Sequence, residues 1–170
     1  MTVALRPLCA IDVPAVLRLQ AQCYEAQYLE SSLAFEAKLA AAGPHQSSWI
    51  AARGEEALAY VVALPVCLQT LPALDAPSIT PPAQPELLYL HDLAVAPQGR
   101  ALGLGRRLAE LVEQSARALG LERIGLIAVQ GSQAYWQRQG FVAIEPLPAV
   151  LAAKLASFGL DARWMERRLN

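Results

Sequence analysis

At 170 residues the chain is long enough for one domain with a proper core and short for two, so a single domain over 1–170 is expected. It is 55% hydrophobic and 17% charged, which excludes a disordered chain, and its net charge of −1 removes the electrostatic reason to expect a nucleic-acid partner. No apolar run approaches twenty residues, and the opening "MTVALRPLCAIDV" is broken by Arg6, Pro7 and Asp12. Neither a membrane span nor a signal peptide is therefore expected, and a cytoplasmic protein is the default.

Residues 2–6 alternate weakly and predict a short first strand ending at Pro7. Asp12 is a suitable N-cap for a helix with Pro14 in its first turn, in which Val13, Val16, Leu17 and Leu19 recur at helical spacing up to about Tyr24. A second helix is predicted through "SLAFEAKLAAAG", capped by Ser31 or Ser32 and stopped at Gly43-Pro44. "SSWIAARGEEALAYVVALPV" reads as two strands joined at Arg53-Gly54 in a hairpin. Residues 68–86 then carry five of the twelve prolines with almost no periodicity; proline cannot donate to a sheet ladder, so this is a loop. Loops of that length in compact domains are functional or are insertions without a role, and both readings stand at this point.

Beyond the loop, "LLYLHDLAV" is a continuous β-prone run and "GLGRRLAELVEQSARALG" an amphipathic helix closed by Gly120. "RIGLIAV" is a buried strand and "SQAYWQRQG" a short helix between Ser132 and Gly140. "FVAIEP" and "ARWMERRL" are expected to be closing strands separated by a helical "AVLAAKLASFG". Strand–helix–strand order in this half implies a parallel crossover. In period-two geometry Tyr89, His91 and Leu93 would share one face of their strand, with Asp92 on the other. Cys9, Cys23 and Cys67 are scattered without a CxxC pair, so they read as small buried hydrophobes rather than a disulfide frame or a zinc site, and no metal is expected.

The junction "LHDLAVAPQGRALGLGRRLAEL" is the segment that asks for a chemical explanation. A helix N-terminus leaves about four backbone N–H groups unpaired and carries about half a positive charge. A strand that feeds it through glycines lets an anion approach the backbone closely. The donors would be the amides of Ala101, Leu102, Gly103, Leu104, Gly105 and Arg106. The pattern is neither GxGxxG nor GxxxxGKS, so a dinucleotide fold and a P-loop nucleotidase lose support. A plain structural turn is the alternative reading of the same glycines.

Arg100-x-x-Gly103-x-Gly105, with Pro97 before it and "LAELVEQ" after, resembles the acetyl-CoA signature of the GNAT superfamily of acyl-CoA N-acyltransferases. "YWQRQGF", Tyr135 to Phe141, resembles that family's second motif, and "SFGLDARWMERRL" its closing strand. The resemblance spans nearly the whole chain. It implies an α/β (α+β) GNAT fold: a mixed central sheet of about seven strands, splayed between the fourth and fifth, with about four flanking helices. It also implies acetyl-CoA as cosubstrate, with backbone groups of Leu93, Ala94 and Val95 pairing with the pantetheine arm. Arg100 and the Ala101–Arg106 amides would then hold the diphosphate.

"LHDLAV" is similar to the corresponding strand of arylalkylamine N-acetyltransferases, which implies His91 as a base for the amine; a structural histidine is the other reading. Where many members carry a tyrosine that protonates the departing thiolate this chain has Trp136, whose indole has no useful acidic proton. Tyr135 is the adjacent candidate, about a hundred degrees away around the helix, and Trp136 would wall the thioester pocket. The acceptor is expected at the first two helices, residues 147–161 and the proline-rich loop, among Tyr24, Tyr28, Phe35 and Phe158. Glu25 and Glu30 there either face a cationic amine or form a solvated face. The implied activity is acetyl transfer from acetyl-CoA to a primary amine of a small molecule. A protein amine and a non-catalytic acyl-CoA sensor are the alternatives, and a homodimer is an arrangement frequent in the family.

Overall fold

The computed structural model describes residues 2–170. Among them run β1 (Ala4–Pro7), α1 (Val13–Cys23), α2 (Ser32–Ala42), β2 (Trp49–Arg53), β3 (Glu56–Val66), β4 (Leu87–Val95), α3 (Leu104–Ala118), β5 (Arg123–Ala128), α4 (Gln133–Arg138), β6 (Val142–Ala143), α5 (Ala149–Ala156) and β7 (Arg163–Arg168). The strands form one seven-stranded sheet in the order β1-β2-β3-β4-β5-β7-β6. Every pairing is antiparallel except β4 with β5, where α3 provides the crossover that parallel neighbours need.

Local chemistry accounts for most boundaries. The Ser31 hydroxyl accepts the Ala34 N–H at 3.3 Å to start α2, and Gly43 at φ 57° ends it. Asp12 behaves differently from a plain N-cap. Its carboxylate takes the Arg6 guanidinium at 2.7 and 2.8 Å and the Cys9 N–H at 3.0 Å, closing the turn before α1 instead of capping α1 itself. Pro7 lies within β1, which an edge strand tolerates. "FVAIEP" gives only the two-residue β6 at the opposite edge. The cysteines are free, but Cys9 is exposed and Cys23 and Cys67 are half-buried, so the expectation of buried thiols fails. No helix among the described residues is long and apolar enough to cross a membrane.

The core lies on both faces of the sheet. On one, Leu104, Leu108 and Val112 of α3 pack with Leu88, Leu90 and Ile124. On the other, Val16, Leu19 and Phe35 of α1 and α2 pack with Ile50, Tyr60 and Val62. What positions the site is an irregularity in β4. Val62 stands opposite Asp92 and Ala63 opposite Leu90, so His91 has no opposite number. This one-residue bulge resets the alternation that the sequence predicts. His91 stays with Tyr89, ring centroids 5.5 Å apart, and Asp92 joins it on the α1–α2 side, where it accepts from the Tyr60 hydroxyl. Leu93 and Val95 turn to the α3 side. The expected grouping of Tyr89, His91 and Leu93 is therefore replaced. Bulges bend and twist their strand, and β4 pairs with β5 only at Leu88↔Ile124 and Tyr89↔Gly125, just before the bulge.

Candidate functional site

A cavity of about 490 Å³ occupies the opening between β4 and β5. Its walls come from β4, the end of α1, Leu74 of the proline-rich loop, the start of α3, the segment after β5, and α4. At one end sits the glycine junction. Pro97–Leu102 form a 3₁₀ turn, Gly103 takes the left-handed conformation at φ 65°, and α3 starts at Leu104. The first main-chain bond back to the junction runs from Arg107 N–H to the Gly103 carbonyl at 3.2 Å. The N–H groups of Leu104, Gly105 and Arg106 consequently have no partner inside the helix. A Cβ at Gly103 would meet nothing within 4 Å, so the approach to these donors is open.

Of the predicted donors, Ala101 and Leu102 fall in the 3₁₀ turn and not on the helix, with Leu102 41% exposed. Leu104 puts its side chain in the core. Arg100, Gly103, Gly105 and Arg106 all line the cavity. Unpaired amides, a helix N-terminus and two guanidinium groups form a donor set that fits a diphosphate.

Along β4, the Ala96 N–H goes to the Leu58 carbonyl of the β3 side at 2.9 Å. Antiparallel main-chain groups alternate, so Ala94 also faces β3, while Leu93 and Val95 face the open side. The Tyr24 hydroxyl donates to the Leu93 carbonyl at 2.9 Å and the Cys23 thiol to that of Val95 at 3.4 Å, both from the end of α1. The main-chain edge open to an amide-bearing ligand is that of Leu93 and Val95. Ala94 lines the cavity, but its backbone is spent on the sheet, which removes it from the predicted pairing set.

The other end is built from side chains. Glu30, 5% exposed, holds His91 Nε2 at 2.6 Å through Oε1. Its Oε2 takes Lys38 Nζ at 2.7 Å and the Asp75 N–H at 2.7 Å. Burial alone would raise the Glu30 pKa, but His91 and Lys38 overcome it and bring it down to about 2. His91 Nδ1 and Asp92 Oδ1 are buried without a protein partner, and both residues line the cavity. Burial pushes the Asp92 carboxyl up, against the hydroxyls of Tyr24 and Tyr60, which favour its charged form. Glu25 is exposed, whereas Glu30 is not the solvated residue that one reading of the sequence made it.

Between the ends, Tyr135 turns its hydroxyl to α3: a Cβ at Gly105 would stand 2.5 Å from that oxygen. Burial raises the Tyr135 pKa, only partly offset by Arg138. Trp136 is 7% exposed, packs on Phe141 with centroids 5.4 Å apart, and still reaches the cavity wall. Tyr24, Tyr28 and Phe158 line the cavity, with the Tyr28 hydroxyl donating to the Phe158 carbonyl at 3.2 Å. Phe35 does not: it is fully buried against Tyr60, part of the α1–α2 core.

Sequence reasoning missed Lys38, Asp75 and the exposure of Cys23 to the cavity. The Lys38 signal was a lysine at helical spacing with Ala34, Phe35, Ala41 and Ala42 in "SLAFEAKLAAA", a pattern in which a buried cation requires a buried partner.

The sequence profile of the acetyltransferase (GNAT) family matches residues 13–141. No curated protein matches the chain significantly. Among solved structures, the ribosomal-protein-S18-alanine N-acetyltransferase from Escherichia coli aligns with a TM-score of 0.67 at 15% identity, over 99% of this chain and 95% of that one. Rv2747 from Mycobacterium tuberculosis, solved in complex with CoA and NLQ, aligns with a TM-score of 0.70 at 17% identity, over 98% and 99% of the two chains. An agmatine N-acetyltransferase aligns with a TM-score of 0.68 at 18% identity, over 99% and 100%.

Proposed function

The chain belongs to the acetyltransferase (GNAT) family, and from that premise we propose that it transfers the acetyl group of acetyl-CoA to a primary amine of a small molecule. One observation carries the reading: a single cavity joins an open helix N-terminus, Gly103 to Arg106, to the buried Glu30–His91 pair. The first would hold the CoA diphosphate, with the Leu93 and Val95 main chain along the pantetheine arm. The second suits an amine that arrives protonated and must lose a proton before it can react.

Acetyl-CoA supplies the thioester carbonyl, which the free amine attacks as the C–S bond breaks. His91 takes a proton from the ammonium, directly or through one water. The Tyr135 hydroxyl, kept protonated by burial, stands beside Gly105 at the diphosphate end, so the departing sulfur takes its proton from water. Overall the nitrogen gives up two protons; one ends on CoA and one passes to solvent. Trp136 shields the reacting carbonyl and donates no proton.

The acceptor wall of Tyr24, Tyr28, Leu74 and Phe158 is aromatic and apolar. That composition favours a compact amine over an extended polypeptide, although related folds serve both an S18 alanine and agmatine. The test is an amine panel with a thiol reagent. CoA release that depends on the acceptor supports the reading, and acetyl-CoA binding without release for any amine overturns it.

A further inference from the structure

We propose that Glu30 is a positioning residue that fixes the His91 imidazole as its Nε2–H tautomer, leaving the Nδ1 lone pair free at the cavity wall. The proline-rich loop completes the arrangement through Asp75. An ionised carboxylate offers only acceptors. Glu30 spends Oε2 on Lys38 Nζ and the Asp75 N–H, each at 2.7 Å, and Oε1 on His91 Nε2 at 2.6 Å. Nε2 must then be the donor, and in a neutral ring Nδ1 is left without a proton.

The side chains of Glu30 and His91 are each 2% exposed, so water does not compete for this bond. Lys38, with a fully buried side chain, keeps Glu30 ionised. Tyr89 of β4 meets the ring edge-on with centroids 5.5 Å apart, Asp92 is the neighbouring carboxyl on the same side, and Lys38 of α2 reaches the ring only through Glu30. None of them donates to Nδ1. Asp75 adopts φ 56°, and its carboxylate accepts from the Ser31 N–H and hydroxyl, both at 2.8 Å. The loop is thereby fastened to the start of α2 and aims its own N–H at Glu30. This gives residues 68–86 a role in the site.

What the proton acceptor does in catalysis rests on the functional reading above; the tautomer does not. The chain contains two histidines, so His45→Gln leaves one imidazole to observe. Long-range ¹⁵N–¹H spectra of that variant, histidine-labelled and without any ligand, are recorded through a pH series into the range where the ring is neutral. The expected pattern is a protonated Nε2 and a bare Nδ1. The opposite tautomer, or a rapidly exchanging mixture, overturns the proposal. Adding Glu30→Leu with Lys38→Met, which leaves no unpaired buried charge, should produce that mixture; an unchanged spectrum would show that Glu30 does not set it. Should the double change fail to fold, Glu30→Asp provides the second reading: a shorter carboxylate must keep the tautomer while lowering kcat about tenfold or more, the scale of a misplaced base, with KM for acetyl-CoA unmoved. A chain that acetylates no amine yet shows the Nε2–H tautomer would refute the function and leave the positioning intact.

Discussion

The two ends of the cavity do the same kind of work, holding a polar group in an apolar fold, by opposite means. At the α3 end the donors are main-chain amides that helix geometry leaves free, and the side chains there, Gly103 and Gly105, are notable for being small. At the β4 end the work falls to Glu30, Lys38, Asp75 and His91, which meet from α2, its leader, a loop and a strand. A backbone cradle costs little to desolvate and tolerates change in its neighbours. A buried charge cluster is stable only while every partner is present. The two ends should therefore fail differently.

The sharpest contrast is expected on removing one member of the charge cluster. Glu30→Ala leaves the Lys38 ammonium buried and unpaired, and should cost about 3–5 kcal/mol in urea unfolding. The pair Glu30→Leu and Lys38→Met should recover most of that loss. A single change no worse than the double would mean that the cluster is not interdependent.

The backbone end is probed by ligand. Acetyl-CoA at about a hundred times its Kd should stabilise the fold by about 2.7 kcal/mol and raise Tm accordingly. Gly103→Glu should abolish that rise, since its carboxylate would enter the open space facing the free amides. A variant that keeps the rise would place the diphosphate elsewhere.

Crowding this end should cost less. Gly105→Ala drives a methyl against the Tyr135 hydroxyl, the far end of a half-buried side chain that can swing aside, and should cost about 1 kcal/mol, the low end of the range for overpacking. Tyr135→Phe in the same chain removes the offending oxygen and should restore stability. No recovery would mean that the tyrosine does not stand where α3 begins.

An effect of the same size is expected with acid. Glu30 has a folded pKa of about 2 against an ordinary 4.5, so its stabilisation is complete above the ordinary value and is lost as pH falls toward the folded one. Between pH 5 and pH 3.5 this amounts to about 1 kcal/mol, read as the difference in urea midpoints between the native chain and the Glu30→Leu, Lys38→Met pair. Asp92, whose carboxyl burial pushes upward, acts in the opposite sense in both chains, and less so in the variant, where the Glu30 charge no longer adds to that shift.

The same contrast explains what could be read in advance. The α3 cradle is local: Arg100, Gly103 and Gly105 lie within six residues, and helix-start chemistry follows from their spacing. The element order was also legible, because Leu87–Leu90 and Arg123–Ala128 are β-prone runs joined by one long amphipathic helix, whereas the opening between the two strands came only from the family resemblance. The charge cluster joins positions 30, 38, 75 and 91, which no short-range pattern connects. Glu30 alone looks like any surface glutamate. The bulge at His91 was hidden for a related reason. It is defined by the pairing of β4 with β3, so only the register reveals that Asp92 shares the side of His91.

One further consequence concerns the route by which the chain is made. β7 lies between β5 and β6, matching six residues of β5 and receiving Trp164 against Tyr89, ring centroids 6.2 Å apart. While a ribosome is still releasing the segment that follows α5, the outer edge of β5 has no neighbour, although β1 to β4 can already have zipped together. Nascent chains stalled before Arg163 should thus carry a protease-resistant first half and a cleavable second one, and the crevice can take its working shape only after that late strand slides home.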